Sequence, residues 1–128
     1  MLKKTITYTD YNGMERTEDF YFNLSKAELT EIEMTTEGGF SELVNRIVAS
    51  VDIPEIFKLF KEIVLKSYGV KDADGKRFIK SEQIRNDFLY TEAFSVLLME
   101  LCTDAEAASN FVNGVIQGTK TNKPVEGQ

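Results

Sequence analysis

The 128-residue chain has no histidine, no tryptophan and a single cysteine, Cys102. Without histidine there is no Ser-His-Asp or Cys-His pair and no His-containing metal site, and the commonest general acid/base of enzymes is missing. One cysteine excludes an intrachain disulfide framework and a Cys₄ zinc site. No run of residues approaches the roughly 18 apolar positions of a membrane-spanning helix. Basic residues are outnumbered: 15 Lys and Arg stand against 21 Asp and Glu, for a formal charge of −6. That balance argues against a nucleic-acid binder that works by neutralising phosphates. Lys3 and Lys4 have no apolar stretch behind them, so no secretory signal is expected, and a lone free thiol fits the cytoplasm. What the chain does have is 42% hydrophobic residues. At this length about two-thirds of the unfolded surface can be buried, which supports one soluble domain with its own core.

The pattern predicts an α+β, mostly helical fold, with a β-hairpin over residues 1–24, helices over 25–117 and a disordered polar tail over 118–128. Asn12-Gly13 lies between two stretches with apolar positions and favours a type I′ turn, in which both central residues take positive φ. An isolated hairpin is marginal in water, so it must dock on helices or pair with another chain. About five helices are expected after it. Ser25 and Glu28 form a capping box for a first helix, Lys26 to Met34, which stops before Gly38-Gly39 and carries a solvated acidic face. The spacing of Leu43, Val44, Ile47, Val48 and Val51 predicts a second, capped by Ser41. A third runs from Pro54 to Tyr68 and is apolar on most sides, which makes it the expected central helix, with Gly69 as its stop. Phe78-Ile79 reads as a short extended piece, and Ser81 caps a helix to Leu89. Residues 91–101 form a strongly apolar helix, and Thr103 with Glu106 reads as a capping box for the last one, interrupted at Asn113-Gly114.

Chemistry-bearing clusters are few. Asp72-Ala73-Asp74-Gly75 resembles the opening of a calcium loop, but glycine comes at the fourth position instead of the sixth, and Gln83 stands where the bidentate Glu is needed. It reads as a polar turn. Cys102 follows an apolar helix with no base to activate it and reads as a small hydrophobe. No catalytic residue, cofactor motif or metal site emerges, so the chain is not read as an enzyme. Charge is uneven: residues 55–80 hold seven basic against four acidic side chains, and residues 81–117 only Arg85 against six. Such an asymmetry can steer a protein partner or a second copy.

The segment from Asp87 to Leu101 contains Phe88, the Thr91-Glu92-Ala93-Phe94 run and a leucine-rich helix. After it come the acidic Thr103-to-Ala108 turn and Phe111-Val112-Asn113-Gly114. Together these resemble the C-terminal half of tail assembly chaperones of long-tailed, siphovirus-like bacteriophages. The stretch from Lys66 to Phe78 is similar to the family's connector, so the resemblance covers about residues 55 to 117. It implies a non-catalytic assembly factor of the host bacterial cytoplasm that binds the tape measure protein and recruits major tail tube subunits, with no nucleic-acid or membrane partner. It also implies a short form ending in a polar tail beside a frameshift-extended one. A homo-oligomer is left open. An apolar helical groove, expected to be shaped by Phe88, Phe94, Leu97, Leu98, Phe111 and Val115, with some of these six in the core instead, would cover the stripes of a helical tape measure. The alternative is a structural tail or head-tail connector protein, retained in the virion and using its hairpin to extend a neighbour's sheet.

Overall fold

A computed structural model describes residues 1–35, 38, 39, 42, 45 and 53–116. The helix expected after Ser41 and the polar tail of residues 118–128 lie outside the described residues. Strands β1 (Leu2–Thr9) and β2 (Glu15–Phe22) form the hairpin, pairing from Leu2 opposite Phe22 to Thr9 opposite Glu15. The turn between them differs from the expected one. Only Gly13 takes positive φ, at 81°, and no described non-glycine residue does. The Gly13 N–H donates to the Asp10 carbonyl and the Asp10 N–H to the Met14 carbonyl, which makes a three-residue loop ending in a left-handed glycine. The reason is Asp10, whose side chain accepts from the Asn12 and Met14 N–H groups and from Arg16 Nε at 2.6 Å. This Asx geometry supplies the turn without forcing Asn12 into a left-handed conformation.

Helix α1 (Lys26–Thr35) begins at a reciprocal capping box: Glu28 N–H donates to Ser25 Oγ and Ser25 N–H to Glu28 Oε1. Helix α2 (Ile53–Ser67) buries Leu59, Phe60, Ile63 and Val64 and turns Lys58 and Lys61 outward. It is amphipathic and not the central helix. The chain passes directly into β3 (Tyr68–Lys71), so Gly69 is a strand residue and not a helix stop. An Asp72–Arg77 turn leads to β4 (Phe78–Ile79), completing a fully antiparallel sheet of order β1-β2-β3-β4. In that turn the Asp72 carboxylate takes the Arg77 guanidinium at 2.9 Å, and Asp74 accepts the Lys76 N–H. Both acids are engaged as turn residues.

Three helices follow: α3 (Glu82–Leu89), α4 (Glu92–Thr103) and α5 (Ala105–Val115). Ser81 and Thr91 cap the first two, accepting from Ile84 and Phe94 N–H. The third is capped by Asp104, whose Oδ1 accepts from Glu106 and Ala107; Thr103 belongs to α4 and donates to the Met99 carbonyl. A carboxylate is the stronger acceptor at a positive helix end, which explains the one-residue difference. Helix α5 runs unbroken through Gly114. The central helix is α4, which packs against β1, α2, α3 and α5.

Candidate partner-binding surface

Helix α4 owes its position to a broad apolar stripe. Ala93, Phe94, Leu97, Leu98 and Leu101 recur at three- and four-residue spacing and are all buried. Two polar contacts fasten the helix to the hairpin. Lys4 Nζ meets Glu100 Oε1 at 3.3 Å, and the Tyr11 hydroxyl donates to Glu92 Oε2 at 2.8 Å, a bond that raises the phenol above its ordinary range. Antiparallel to β1, the helix covers the inner face of the hairpin.

Beneath β2 the core is aromatic. Phe88 stacks on Tyr68 with centroids 4.3 Å apart and meets Phe94 edge-on at 5.6 Å. It also approaches Phe20 at 5.2 Å and Phe22 at 5.8 Å, while Phe22 contacts Phe111 at 5.2 Å. Such tilted and edge-on pairs add to the burial of each ring. Phe88, Phe94, Leu97, Leu98, Phe111 and Val115, the six residues expected to shape a partner groove, are therefore all in the interior of the single chain. Leu97 and Val115 have no exposed surface, and the other four are at most 7% exposed. The cause is that α4 has neighbours on several sides, so the stripe read as partly exposed is used by the fold itself.

The apolar side chains available to a partner are others. Val96 is 42% exposed and Met99 51%, on the side of α4 away from its stripe, and Tyr90, at the α3–α4 corner, is 70% exposed. Helical phase carries this signal in the sequence: positions 96 and 99 are offset from the 93-94-97-98-101 row. Glu92 and Glu100 flank them, each tied to the hairpin. Cys102 is half-buried, and burial pushes its thiol up, the direction opposite to activation. No group of three or more potential ligands that could hold a metal occurs among the described residues. No helix among them is long and apolar enough to cross a membrane.

No curated protein and no solved structure matches the chain. A family model described as phage tail assembly chaperone matches residues 1–118. The match runs from the first strand of the hairpin past the end of α5, and the chain therefore belongs to the phage tail assembly chaperones.

Proposed function

We propose that this chaperone binds the tape measure protein of its phage and recruits tail tube subunits while the tail is being built, in the cytoplasm of the infected host. The observation that carries this reading is the extent of the family match, residues 1–118, which includes every described helix and strand. The surface supports it. A tape measure is a long helical protein, and its apolar stripes need cover until tube subunits enclose it. Tyr90, Val96 and Met99 give a small apolar area on a chain of net charge −6, which keeps a chaperone–client complex soluble. No chemistry is required of the protein, only binding and release.

Co-expression with the tape measure and tube proteins of the same genome tests the proposal. The expected result is that the tape measure protein becomes soluble only with this chain and co-elutes with it in size exclusion, and that tube protein joins the complex. The chain is then absent from purified virions. Its stoichiometric presence in mature particles, with no binding to either protein, overturns the proposal and favours a structural tail or connector component.

A further inference from the structure

Strand β1 ends the sheet, with β2 on one side. The Asp10 N–H bond to Met14 fixes the hydrogen-bonding phase of the hairpin. Alternation in an antiparallel pair then turns the backbone groups of Leu2, Lys4, Ile6 and Tyr8 toward β2, and those of Lys3, Thr5, Thr7 and Thr9 outward. Among the described residues nothing bonds to these outward groups. Natural edges are usually blunted by proline, a bulge or a covering element. Here the strand is eight residues long, regular and free of proline, and α4 lies against its inner face, where Lys4 and the turn hold it.

The edge also has a charge direction. Of the charges at its two ends, Lys4 is tied to Glu100 and Asp10 to Arg16, which leaves Lys3 at the start and Glu15, opposite Thr9 on β2, at the end. An antiparallel neighbour with the same sequence sets basic start against acidic end twice, once at each extremity. We propose that β1 pairs edge to edge with β1 of a second copy across a two-fold axis at Ile6, joining two hairpins into one continuous sheet. Outward groups can bond only to outward groups, so odd positions pair with odd ones, and centring on Ile6 engages all of them. Lys3 then faces Thr9 of the second copy, and Thr5 faces Thr7. On the solvent face, Thr5 already bonds Asp19 at 2.6 Å and Thr7 lies 2.9 Å from Thr17, so the axis extends an existing polar ladder of β-branched residues. A foreign strand would satisfy the same backbone groups; complementary ends at both extremities select a second copy.

Sedimentation velocity and light scattering of the full chain over a concentration series test this, and a dimer at micromolar concentration is expected. Thr5→Pro removes one outward N–H and no backbone bond of the hairpin, losing within it only the exposed Thr5–Asp19 side-chain bond, so the circular dichroism stays unchanged while dimerisation weakens roughly tenfold or more. Lys3→Glu weakens the dimer too, by setting a second acid toward Glu15 of the other copy, and adding Thr9→Lys restores it by placing opposite charges at the two facing positions; this reciprocal test decides the matter if Thr5→Pro fails to fold. A chain that is monomeric at all concentrations overturns the proposal, as does a dimer indifferent to both sets of changes. A monomer whose Thr5→Pro variant loses binding to another tail protein overturns it in favour of a foreign strand.

Discussion

At both Gly69 and Gly114 a neighbour occupies the place of a side chain, and the two differ in what that neighbour is. A Cβ on Gly69 would lie 2.7 Å from the Phe78 ring and 3.0 Å from the Ile79 carbonyl oxygen, so ring and backbone would both have to move. Gly69→Ala should destabilise the domain by about 1–3 kcal/mol in urea unfolding. A Cβ on Gly114 would lie 2.8 Å from Leu2 Cδ1, the end of a rotatable side chain near the start of the chain. Relief there is cheap and alanine favours the helix, so Gly114→Ala should stay within about 1 kcal/mol of the parent. Lys80 is a different kind of single-residue device. Its ammonium donates to the Asn23 and Lys66 carbonyls and to Glu28 Oε2 at 2.7 Å, tying the start of α1 to the end of α2. Burial pushes the Glu28 carboxyl up, but the bonds from Lys80 and the Ser25 N–H outweigh it and hold the group below its ordinary value. Burial likewise lowers the Lys80 ammonium against the pull of Glu28. A depressed carboxyl contributes stability that is present above its unfolded value and lost as pH falls through the folded one. Glu28→Gln should therefore cost about 1 kcal/mol at neutral pH, a figure reduced for the partial exposure of the pair, and should flatten the acid limb of a stability–pH curve.

Each element is set by a few such contacts, and the hairpin shows how narrowly. In a type I′ turn, alanine would be strained at both central positions; in the observed turn only Gly13 has positive φ. Gly13→Ala should cost roughly 1 kcal/mol and Asn12→Ala close to nothing, a difference readable from paired thermal melts. Helix α5 offers a parallel test at its start. Asp104→Ala removes the acceptor for two amides and should cost about 1 kcal/mol, more than Thr103→Ala, whose hydroxyl only bonds back within α4. These two places mark where the sequence is legible and where it is not. The existence of the hairpin, the Ser25–Glu28 box and the Ser81 cap follow from local patterns, because the partners lie within a few residues of one another. Turn type and cap identity depend on which of two adjacent side chains wins, and Asp10 and Asp104 win through a carboxylate whose competition with Asn12 and Thr103 no spacing rule resolves. The β3 strand is harder still. Tyr68 and Gly69 read as the end of a helix until β2 is placed opposite them, since they pair with Phe22 and Tyr21 from nearly fifty residues earlier.

At the scale of the molecule, the same non-local packing separates the residues that build the chaperone from those that can serve it. Phe88, Phe94, Leu97, Leu98, Phe111 and Val115 carry the apolar signal of the sequence, and the structure uses all six inside a single chain, where hairpin, α2, α3 and α5 converge on α4. A mostly apolar pattern identifies what must be covered without saying whether the cover comes from the same chain or another. Two classes of variant should thus behave in opposite ways. Leu97→Ala opens a cavity at a site with no exposed surface and should lower stability by about 2–5 kcal/mol, with client binding reduced only as far as the folded fraction falls. Val96→Glu with Met99→Lys changes two exposed side chains outside the buried stripe, so the unfolding midpoint should move little. If this side of α4 receives the tape measure protein, the pair should abolish its solubilisation while the chaperone itself remains folded and monodisperse. Measuring denaturation midpoint and client co-elution on the same preparations distinguishes the two effects. A client that still co-elutes with the Val96 and Met99 double variant would move the contact surface away from α4, to the hairpin or to the exposed side of α2.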